Sequence, residues 1–267
     1  MSIAAPHSHA EPYRPERPPF LWLLEREIVR FLKLWRFAIL GQVLSALLFL
    51  LVFGIALAGR IDAAGGVPYK RFILPGLVVQ AVFTVGFVNG TTSLFEARND
   101  GYINAVLASP LRWWEINLAL VVGSIVREVL VGAGVLALAG PFVGLGISRP
   151  LVAAGALVAL LVTGAQVGVL AGAFARSLDD IYSIESLAVL PLGFLSGIFY
   201  SVDRLPGAWR TLTHLDPLFY FVEAARIGVL GTGDISAGVA LAVAGGIAAA
   251  LTAWSLAVFR SASTLKP

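Results

Sequence analysis

Cysteine is absent from this chain, and histidine occurs only three times in 267 residues. The first absence excludes disulfide frameworks, cysteine-ligated zinc and thiol nucleophiles. Two of the histidines, His7 and His9, fall in a polar N-terminal tail, so we expect no metal site. Charge is also scarce: 13% of the residues are charged and 58% are hydrophobic, against about 25% and about 45–50% in soluble domains. A soluble globular fold is therefore excluded.

Sequence motifs of catalysis and of nucleotide binding are missing too. The chain has no G-x-x-x-x-G-K-[ST], no H-E-x-x-H and no G-x-S-x-G, which mark phosphate-binding loops, zinc proteases and serine hydrolases. Beyond one N-terminal helix it has no basic patch interleaved with aromatic residues, so nucleic acid is not an expected partner. We expect a chain that is not an enzyme and binds no cofactor itself.

Long apolar intervals between the charged residues dominate what is present. An α-helix needs about 20 residues to cross about 30 Å of hydrocarbon, and six intervals are near that length. The expected spans are approximately 37–59, 72–95, 116–146, 151–175, 186–202 and 236–259. A transmembrane β-barrel would instead alternate apolar and polar residues. The sequence predicts an all-α integral membrane protein. Its transmembrane domain covers 37–260. A polar tail at 1–19 and a helix at 20–36 precede this domain, and a C-terminal tail at 261–267 follows it.

The distribution of lysine and arginine predicts the orientation of these spans. Cytoplasmic segments are enriched in both residues. Six of them precede the first span: Arg14, Arg17, Arg26, Arg30, Lys33 and Arg36. Only Arg60, Lys70 and Arg71 follow it before the second. We expect both termini in the cytoplasm and a first span that is retained rather than cleaved as a leader, although Arg204, Arg210 and Arg226 then fall outside.

The segment 20–36 is predicted to form an amphipathic helix. Its apolar residues recur at helical spacing: Leu21, Leu24, Ile28, Phe31, Leu32 and Trp35. A basic stripe lies on another face: Arg26, Arg30 and Lys33. We expect a helix in the inner membrane interface, with a simple positive anchor for the first span as the alternative.

The third span carries the one adjacent pair of charges that can lie inside the membrane, Arg127 and Glu128. A charge at the bilayer centre costs about 2.5–3.5 kcal/mol on insertion scales and usually faces a bundle interior or a wet cavity. If the helix begins at Trp113, both residues lie deep and are candidates for a substrate path. If the span is 129–148, Arg127 lies near the interface and its long side chain reaches water. Neighbouring residues point about 100° apart on a helix, so we expect no catalytic dyad.

Small residues at four-residue spacing predict a close contact between helices. Gly164, Gly168 and Gly172 form such a ladder in the fourth span, and Gly86 and Gly90 repeat the spacing in the second. The contact can lie within one chain or between two copies.

The segment 201–236 is predicted to contain a short helix on the outer side. Asp216 followed by Pro217 is a good N-cap and first turn, and Gly231 can end the helix 218–230. At about 20 Å by its rise per residue it is too short to span. We expect a re-entrant element, with a surface helix as the alternative; its candidate residues are Pro206, Pro217, Tyr220, Glu223 and Arg226.

The inner loop 96–115 is predicted to hold a short amphipathic helix. Ile103, Val106 and Leu107 lie on one side of it, and Ser109 with Pro110 ends it. Asp100 precedes Gly101 and is expected to cap the helix. Such a helix can bind in the groove of a partner through its apolar side; the alternative is a polar connector.

This loop, together with 57–77, 174–181 and 195–230, resembles the ABC-2 type permeases. The motifs G-x-F-Y-x(4)-L-P before Pro206 and L-x-P-L around Pro217, in this order, are similar to those of bacterial permeases grouped with nodulation-factor and daunorubicin exporters, and to YadH-type permeases in particular. The resemblance implies an inner-membrane exporter subunit for an amphipathic, lipid-linked or drug-like substrate. It also implies a homodimer with two copies of a separate ATPase, which binds ATP and magnesium.

By position, the resemblance implies a role for each of two helices. The segment 99–109 would be the coupling helix and 20–36 the interfacial helix that helps to seat the ATPase. The implied ATPase-coupling residues are Glu96, Arg98, Asp100, Gly101, Ile103, Asn104, Val106, Leu107 and Pro110. An ATP-independent channel or secondary transporter is the alternative, although it would normally need more ionisable groups inside the membrane.

Overall fold

The computed structural model describes residues 18–33, 35–56, 63–64 and 66–261. The predicted tails, apart from residues 18, 19 and 261, lie outside the described residues, as do positions 57–59 of the first predicted span and the basic residues Arg14, Arg17 and Arg60. The described chain is helical except for one short antiparallel ladder, β1 (Ala63–Ala64) with β2 (Val67–Pro68), and the connecting turns. The predicted all-α class is confirmed.

Five helices in the described residues are long and apolar enough to cross a membrane. The first is a π-helical segment, Arg36–Leu40, that continues as α2 (Gly41–Ala56). The other four are α3 (Tyr69–Asn99), α5 (Trp113–Val143), α6 (Pro150–Phe174) and α11 (Ala237–Arg260). They correspond to the first, second, third, fourth and sixth predicted spans.

The fifth predicted span, 186–202, is placed differently by the structure. Its helical run consists of α7 (Leu178–Ile184), a π-helical segment (Glu185–Val189) and α8 (Leu190–Leu195). The run begins early because Ser177 caps it: the Asp180 N–H donates to the Ser177 hydroxyl over 3.1 Å. It ends at Leu195 because Gly197 adopts the left-handed conformation, with φ +78°. The predicted end at 202 is wrong. That this run crosses the membrane, and with it the total of six spans, stays a prediction.

The centre of the fold is the contact between α3 and α6. A Cβ atom added to Gly168 would lie 2.5 Å from the Phe87 carbonyl oxygen, and one added to Gly172 would lie 2.6 Å from that of Thr91. On the α3 side, a Cβ at Gly90 would lie 2.8 Å from the Val169 nitrogen. Real Cβ atoms do not fit at these distances, so the glycine ladder joins two helices of the same chain.

The short helices lie at the two ends of this bundle. At the first, the α4 end, α1 (Pro19–Leu32) and α4 (Tyr102–Ala108) pack against α3 and α5. At the second, the α10 end, lie β1, β2, the 3₁₀ turn Val202–Arg204, α9 (Gly207–Leu215) and α10 (Pro217–Leu230).

The helix predicted at 20–36 ends at Leu32 in the structure. The face that it packs on the bundle carries Leu23, Glu27 and Phe31, which are buried. Of the residues predicted as its apolar face, Leu21, Leu32 and Trp35 are exposed, and Leu24 and Ile28 are half-buried. The contact of this face with the membrane interface stays a prediction. The second, packed stripe was not predicted, because it includes a carboxylate, which a hydrophobic pattern counts as polar.

The predicted helix 218–230 is confirmed as α10. The Leu218 N–H donates to Asp216 Oδ1 over 2.9 Å, and Gly231 ends the helix with φ +82°. Its apolar residues Leu218, Phe219 and Val222 are buried, and the helix packs on α3, α6 and α11. Its depth in the membrane stays a prediction.

We predict that Gly168→Leu lowers the melting temperature of the detergent-solubilised protein, because the new side chain would force α3 and α6 apart. Overpacking of this kind costs about 1–3 kcal/mol. Differential scanning fluorimetry measures the change. Gly245→Leu on α11 is the control, since a Cβ at Gly245 meets nothing within 4 Å; equal melting temperatures for the two variants would contradict the prediction.

Candidate functional site

The short helix α4 connects two of the longest helices, α3 and α5, at one end of the bundle. The chain reverses direction at Gly101, whose φ of +70° is left-handed, and Gly101 is the N-cap residue of α4. No side-chain hydrogen bond caps α4. The expectation that Asp100 caps it is therefore wrong: Asp100 ends α3, where its N–H donates to the Glu96 carbonyl over 2.9 Å.

The apolar side of α4 faces the protein's own core. Ile103 and Val106 are only 2% and 5% exposed, packed in a cluster with residues of α1, α3 and α5 such as Leu23, Leu94 and Ile116. Leu107 is half-buried. The expectation that these three residues offer their surface to a partner is wrong for Ile103 and Val106. The side that α4 leaves exposed consists of Asn104, Ala105 and Ala108, followed by Pro110.

A groove of about 240 Å³ runs between α1 and α4 beside this exposed side. Its walls include Trp22, Tyr102 and Ala105. The Arg26 guanidinium lies 4.0 Å from the centre of the Tyr102 ring, a cation–π contact that holds the two helices together. Burial raises the pKa of the Tyr102 phenol, so the ring is neutral. We call the exposed surface of Trp22, Tyr102, Asn104, Ala105 and Ala108 the α1–α4 surface.

Arg98, predicted as an ATPase-coupling residue, is bound within the chain. Its Nη1 atom donates to the carbonyl oxygens of Gly172, Ala173 and Ala175 over 3.1, 2.9 and 3.0 Å. These carbonyls lie at the C-terminal end of α6, where a positive charge is favourable. Arg98 therefore joins the ends of α3 and α6. Glu96 is half-exposed and accepts from Arg30 over 3.2 Å.

Glu27 is a buried carboxylate that the sequence analysis missed. It lies on the packed face of α1, with no solvent exposure. It accepts from Arg26 over 2.8 Å and from the Ser93 hydroxyl of α3, and the Arg30 Nε atom lies 3.6 Å away. The one sequence signal was its position midway between Leu23 and Phe31, at four-residue spacing. The carboxylate fixes α1 to α3.

Asn89 of α3 joins this helix to α1 and α5. Its Oδ1 atom accepts from Arg30 of α1 and from Arg127 of α5, each over 3.1 Å, while its amide donates to Ser124 over 3.0 Å. Arg127 Nη2 also donates to the Ala38 carbonyl over 3.1 Å. Two guanidinium groups therefore share one amide oxygen in the interior of the bundle.

The helix that carries Arg127 and Glu128 begins at Trp113, as in the first of the two frames for the third span, while the depth of the pair in the membrane stays a prediction. Helix α5 begins at Trp113 and continues through Gly140 and Pro141 to Val143, where Gly144 turns left-handed. Arg127 lies about 21 Å along this helix by its rise per residue. The partners that the structure gives Arg127 are an amide and a carbonyl rather than a carboxylate.

Glu128 points into the crossing of α3 and α6 instead. It is completely buried, and neither carboxylate oxygen has a hydrogen-bond partner among the described residues. Its oxygens lie against Gly86 and Gly164, where an added Cβ would contact them. In this conformation Glu128 is therefore closed off from any substrate, and Arg127 and Glu128 form no dyad.

Two of the outer residues form a buried ion pair at the α10 end. Arg226 pairs with Glu223, and the Arg226 Nη2 atom donates to the Gly197 carbonyl over 2.7 Å. Its guanidinium lies 3.9 Å from the centre of the Phe72 ring, and the Asp234 N–H donates to Glu223 over 2.6 Å. These contacts explain how the Arg226 guanidinium is accommodated in the interior, where it is only 2% exposed.

The other outer residues lie at helix ends and loops. Pro206 is the N-cap residue of α9, Pro217 opens α10, and the Tyr220 hydroxyl donates to the His214 carbonyl over 2.9 Å. All five residues predicted for this region thus lie in or at the ends of α9 and α10 and make contacts that position these helices.

This chain is similar to one family of transporters and to two named bacterial proteins. The sequence model of the family described as ABC-2 type transporter matches residues 18–230. The chain is 33% identical over 210 residues to the inner membrane transport permease YadH of Escherichia coli K12, covering 79% of this chain and 82% of the relative. It is 29% identical to nodulation protein J of Rhizobium leguminosarum bv. trifolii, covering 73% and 74%.

We predict that Glu27→Ala releases α1 from the bundle, because Arg26, Arg30 and Ser93 lose their shared acceptor. The wild-type chain has no cysteine, so Leu23→Cys provides a single thiol at a position that is 2% exposed. Its rate of maleimide labelling should rise about tenfold or more when Glu27 is removed. Val29→Ala, on the exposed face of α1, is the control; a rise of the same size there would refute the assignment.

We also predict that stability at the α10 end falls as the pH rises. Burial raises the pKa of Asp216 to about 7, while an unfolded aspartate has a pKa of about 3.9. Between these two pKa values Asp216 is protonated in the folded protein and ionised in the unfolded chain. The free energy of unfolding therefore decreases from about pH 4 to about pH 7.

The variant Asp216→Asn should flatten this pH dependence, because asparagine keeps the capping oxygen but does not titrate. Thermal melts at a series of pH values measure it. The exposed Asp203, which pairs with Arg210 over 2.9 Å, supplies the control Asp203→Asn. A pH profile that is the same in Asp216→Asn and the wild type would show that another group titrates.

Proposed function

This chain belongs to the ABC-2 type transporter family, and from that premise we propose that it is the membrane-spanning permease subunit of an ATP-binding cassette exporter. The work would come from a separate ATPase subunit that binds ATP and magnesium. The family match over 18–230, the apolar helices and the relative named a transport permease support this proposal. Two permease copies and two ATPase copies would form the complete transporter.

The observation that carries the proposal is the placement of α4. Its buried side chains, Ile103 and Val106, anchor it in the core, while Asn104, Ala105 and Ala108 are presented outward beside the α1–α4 groove. A helix held this way cannot move independently of α3 and α5. A partner bound at the α1–α4 surface would therefore displace these helices together.

A second connection would pass through α1. Glu27 and Arg30 tie α1 to α3, and Asn89 continues the contacts to Arg127 in the middle of α5. We propose that Arg127 and Glu128 lie next to the substrate path and meet it when α3, α5 and α6 separate during the transport cycle. In the present conformation Glu128 is buried and Arg127 is half-buried, which is consistent with a closed state.

The proposed orientation places the α4 end in the cytoplasm and the α10 end outside, in the inner membrane. The basic residues of α1 support it through their enrichment at the α4 end. An amphipathic, lipid-linked or drug-like substrate is supported by the apolar lining of the interior. One cavity of about 320 Å³ between α3, α5, α6 and α10 is walled by residues such as Leu74, Val78, Leu157 and Val229.

We propose that the second copy contacts the run from α7 to α8. In this run Tyr182 is 61% exposed, Leu187 79% and Phe194 49%. These side chains are exposed although the run itself packs on α3 and α10. Exposed aromatic and branched side chains suit a helix contact as well as lipid.

We predict that the tagged permease purifies from mild detergent with a Walker-motif ATPase and that Ala105→Arg reduces the recovered ATPase about tenfold, since a long charged side chain would fill the α1–α4 groove. Quantitative mass spectrometry of the eluate measures the ratio of the two subunits; about 1.4 kcal/mol of lost binding gives this factor. The melting temperature of the permease should not change, because Ala105 is exposed.

Ala208→Arg is the matched control, an exposed alanine on α9 at the opposite end. Normal ATPase recovery with Ala105→Arg would show that α4 is only a connector. A permease that recovers no ATPase at all would favour the ATP-independent channel or secondary transporter.

A further inference from the structure

A groove of about 490 Å³ lies between α2 and α5 towards the α10 end. Its walls are apolar, including Leu47 and Leu51 of α2 and Leu138 and Phe142 of α5. Gly54 lies on the wall of this groove, and a Cβ added there would make ordinary van der Waals contacts, the nearest at 3.7 Å from Lys70 Cβ. The volume is within the range of about 300–1,000 Å³ that is usual for ligand sites.

One end of this groove is cationic. Lys70 lines it, and its Nζ atom lies 3.5 Å from the Phe142 carbonyl oxygen; the Nε atom of the adjacent Arg71 donates to the Val143 carbonyl over 2.9 Å. These carbonyls end α5, so the two cations cap that helix. Both side chains are exposed, and the described part of the chain places no carboxylate in an ion pair with either. Each therefore keeps N–H donors for an anion.

The groove and its cations match the two parts of a phospholipid. From Leu47 to Gly54 the groove follows α2 for about 10 Å by the rise per residue, against a leaflet of hydrocarbon about 15 Å deep. A chain of that depth reaches from the interface, where Lys70 and Arg71 lie, into the apolar part. Charge-assisted hydrogen bonds from lysine and arginine are well suited to phosphate oxygens.

We propose that this groove binds an anionic phospholipid from the leaflet at the α10 end, with one acyl chain between α2 and α5 and the phosphate on Lys70 and Arg71. A second copy of this chain is the competing occupant. It would cover the apolar walls but would leave the spare donors of both cations unpaired, unless it brought a carboxylate. Binding of the lipid does not depend on an ATPase or on transport, so it can be tested with the permease alone.

The test uses phosphatidylglycerol that carries a diazirine in one acyl chain, incorporated with the permease in phosphatidylcholine nanodiscs. After illumination, peptide mass spectrometry should locate the label on α2 between Leu47 and Gly54 and on α5 near Leu138 and Phe142. A phosphatidylcholine probe with the same acyl chain should label these peptides less. The double variant Lys70→Gln with Arg71→Gln should reduce phosphatidylglycerol labelling about tenfold, the factor for about 1.4 kcal/mol.

Arg149→Gln is the charge control, because Arg149 is an exposed cation at the same end that does not line the groove. A second variant, Gly54→Leu, should block labelling by both lipids, whereas Gly54→Ala, whose Cβ has room, should not. Melting temperatures confirm that each variant is folded.

Three results would overturn the proposal. Equal labelling by the two lipids would show that the cations only cap α5. Labelling that persists in Gly54→Leu would place the lipid elsewhere. Cross-links from a photoreactive residue at Leu138 to a second copy, in place of lipid, would assign the groove to the dimer contact.

Discussion

Direct backbone contact between α3 and α6 is the interaction on which the positions of the other helices depend. Apolar side chains give little advantage to helix association in hydrocarbon, where lipid tails are equally apolar, so close approach and dispersion contacts must supply it. Gly90, Gly168 and Gly172 allow this approach. Helices α10 and α11 then pack on α6, and α2 and α5 on α3.

Polar contacts join the helices at positions where small residues do not bring the backbones together. A polar group left without a partner in an apolar environment is costly, and most of the buried charges described here are matched: Glu27 with Arg26, and Arg226 with Glu223. Arg127 is satisfied by an amide and a carbonyl. Glu128 differs from them, since both of its oxygens lack a partner in the described residues. The helix crossing that encloses Glu128 thus contains a carboxyl group with neither a hydrogen bond nor an ion pair among the described residues.

The sequence predicted those parts of the fold that depend on length and cap chemistry. Helices α3, α6 and α11 follow from apolar intervals without charge, and α5 from an interval interrupted by Arg127 and Glu128. Helix α10 follows from Asp216, Pro217 and Gly231. Where the prediction failed, the deciding contact was tertiary. Amphipathicity places Ile103 and Val106 on one side of α4, but it does not say whether the same chain or a partner covers that side. Glu27 was missed for the same reason. The sequence does not show that the folded chain buries this carboxylate, where Arg26 and Ser93 donate hydrogen bonds to it.

Arg98 restricts the way in which the two central helices can move. Its guanidinium holds three carbonyl oxygens at the end of α6 while its backbone belongs to the end of α3. For the helices to slide along each other, all three hydrogen bonds would have to break together. Separation of the two helices at this end would break them as well. The glycine contact and Arg98 therefore hold α3 and α6 together at two levels, so the pair resists both sliding and parting at the α4 end.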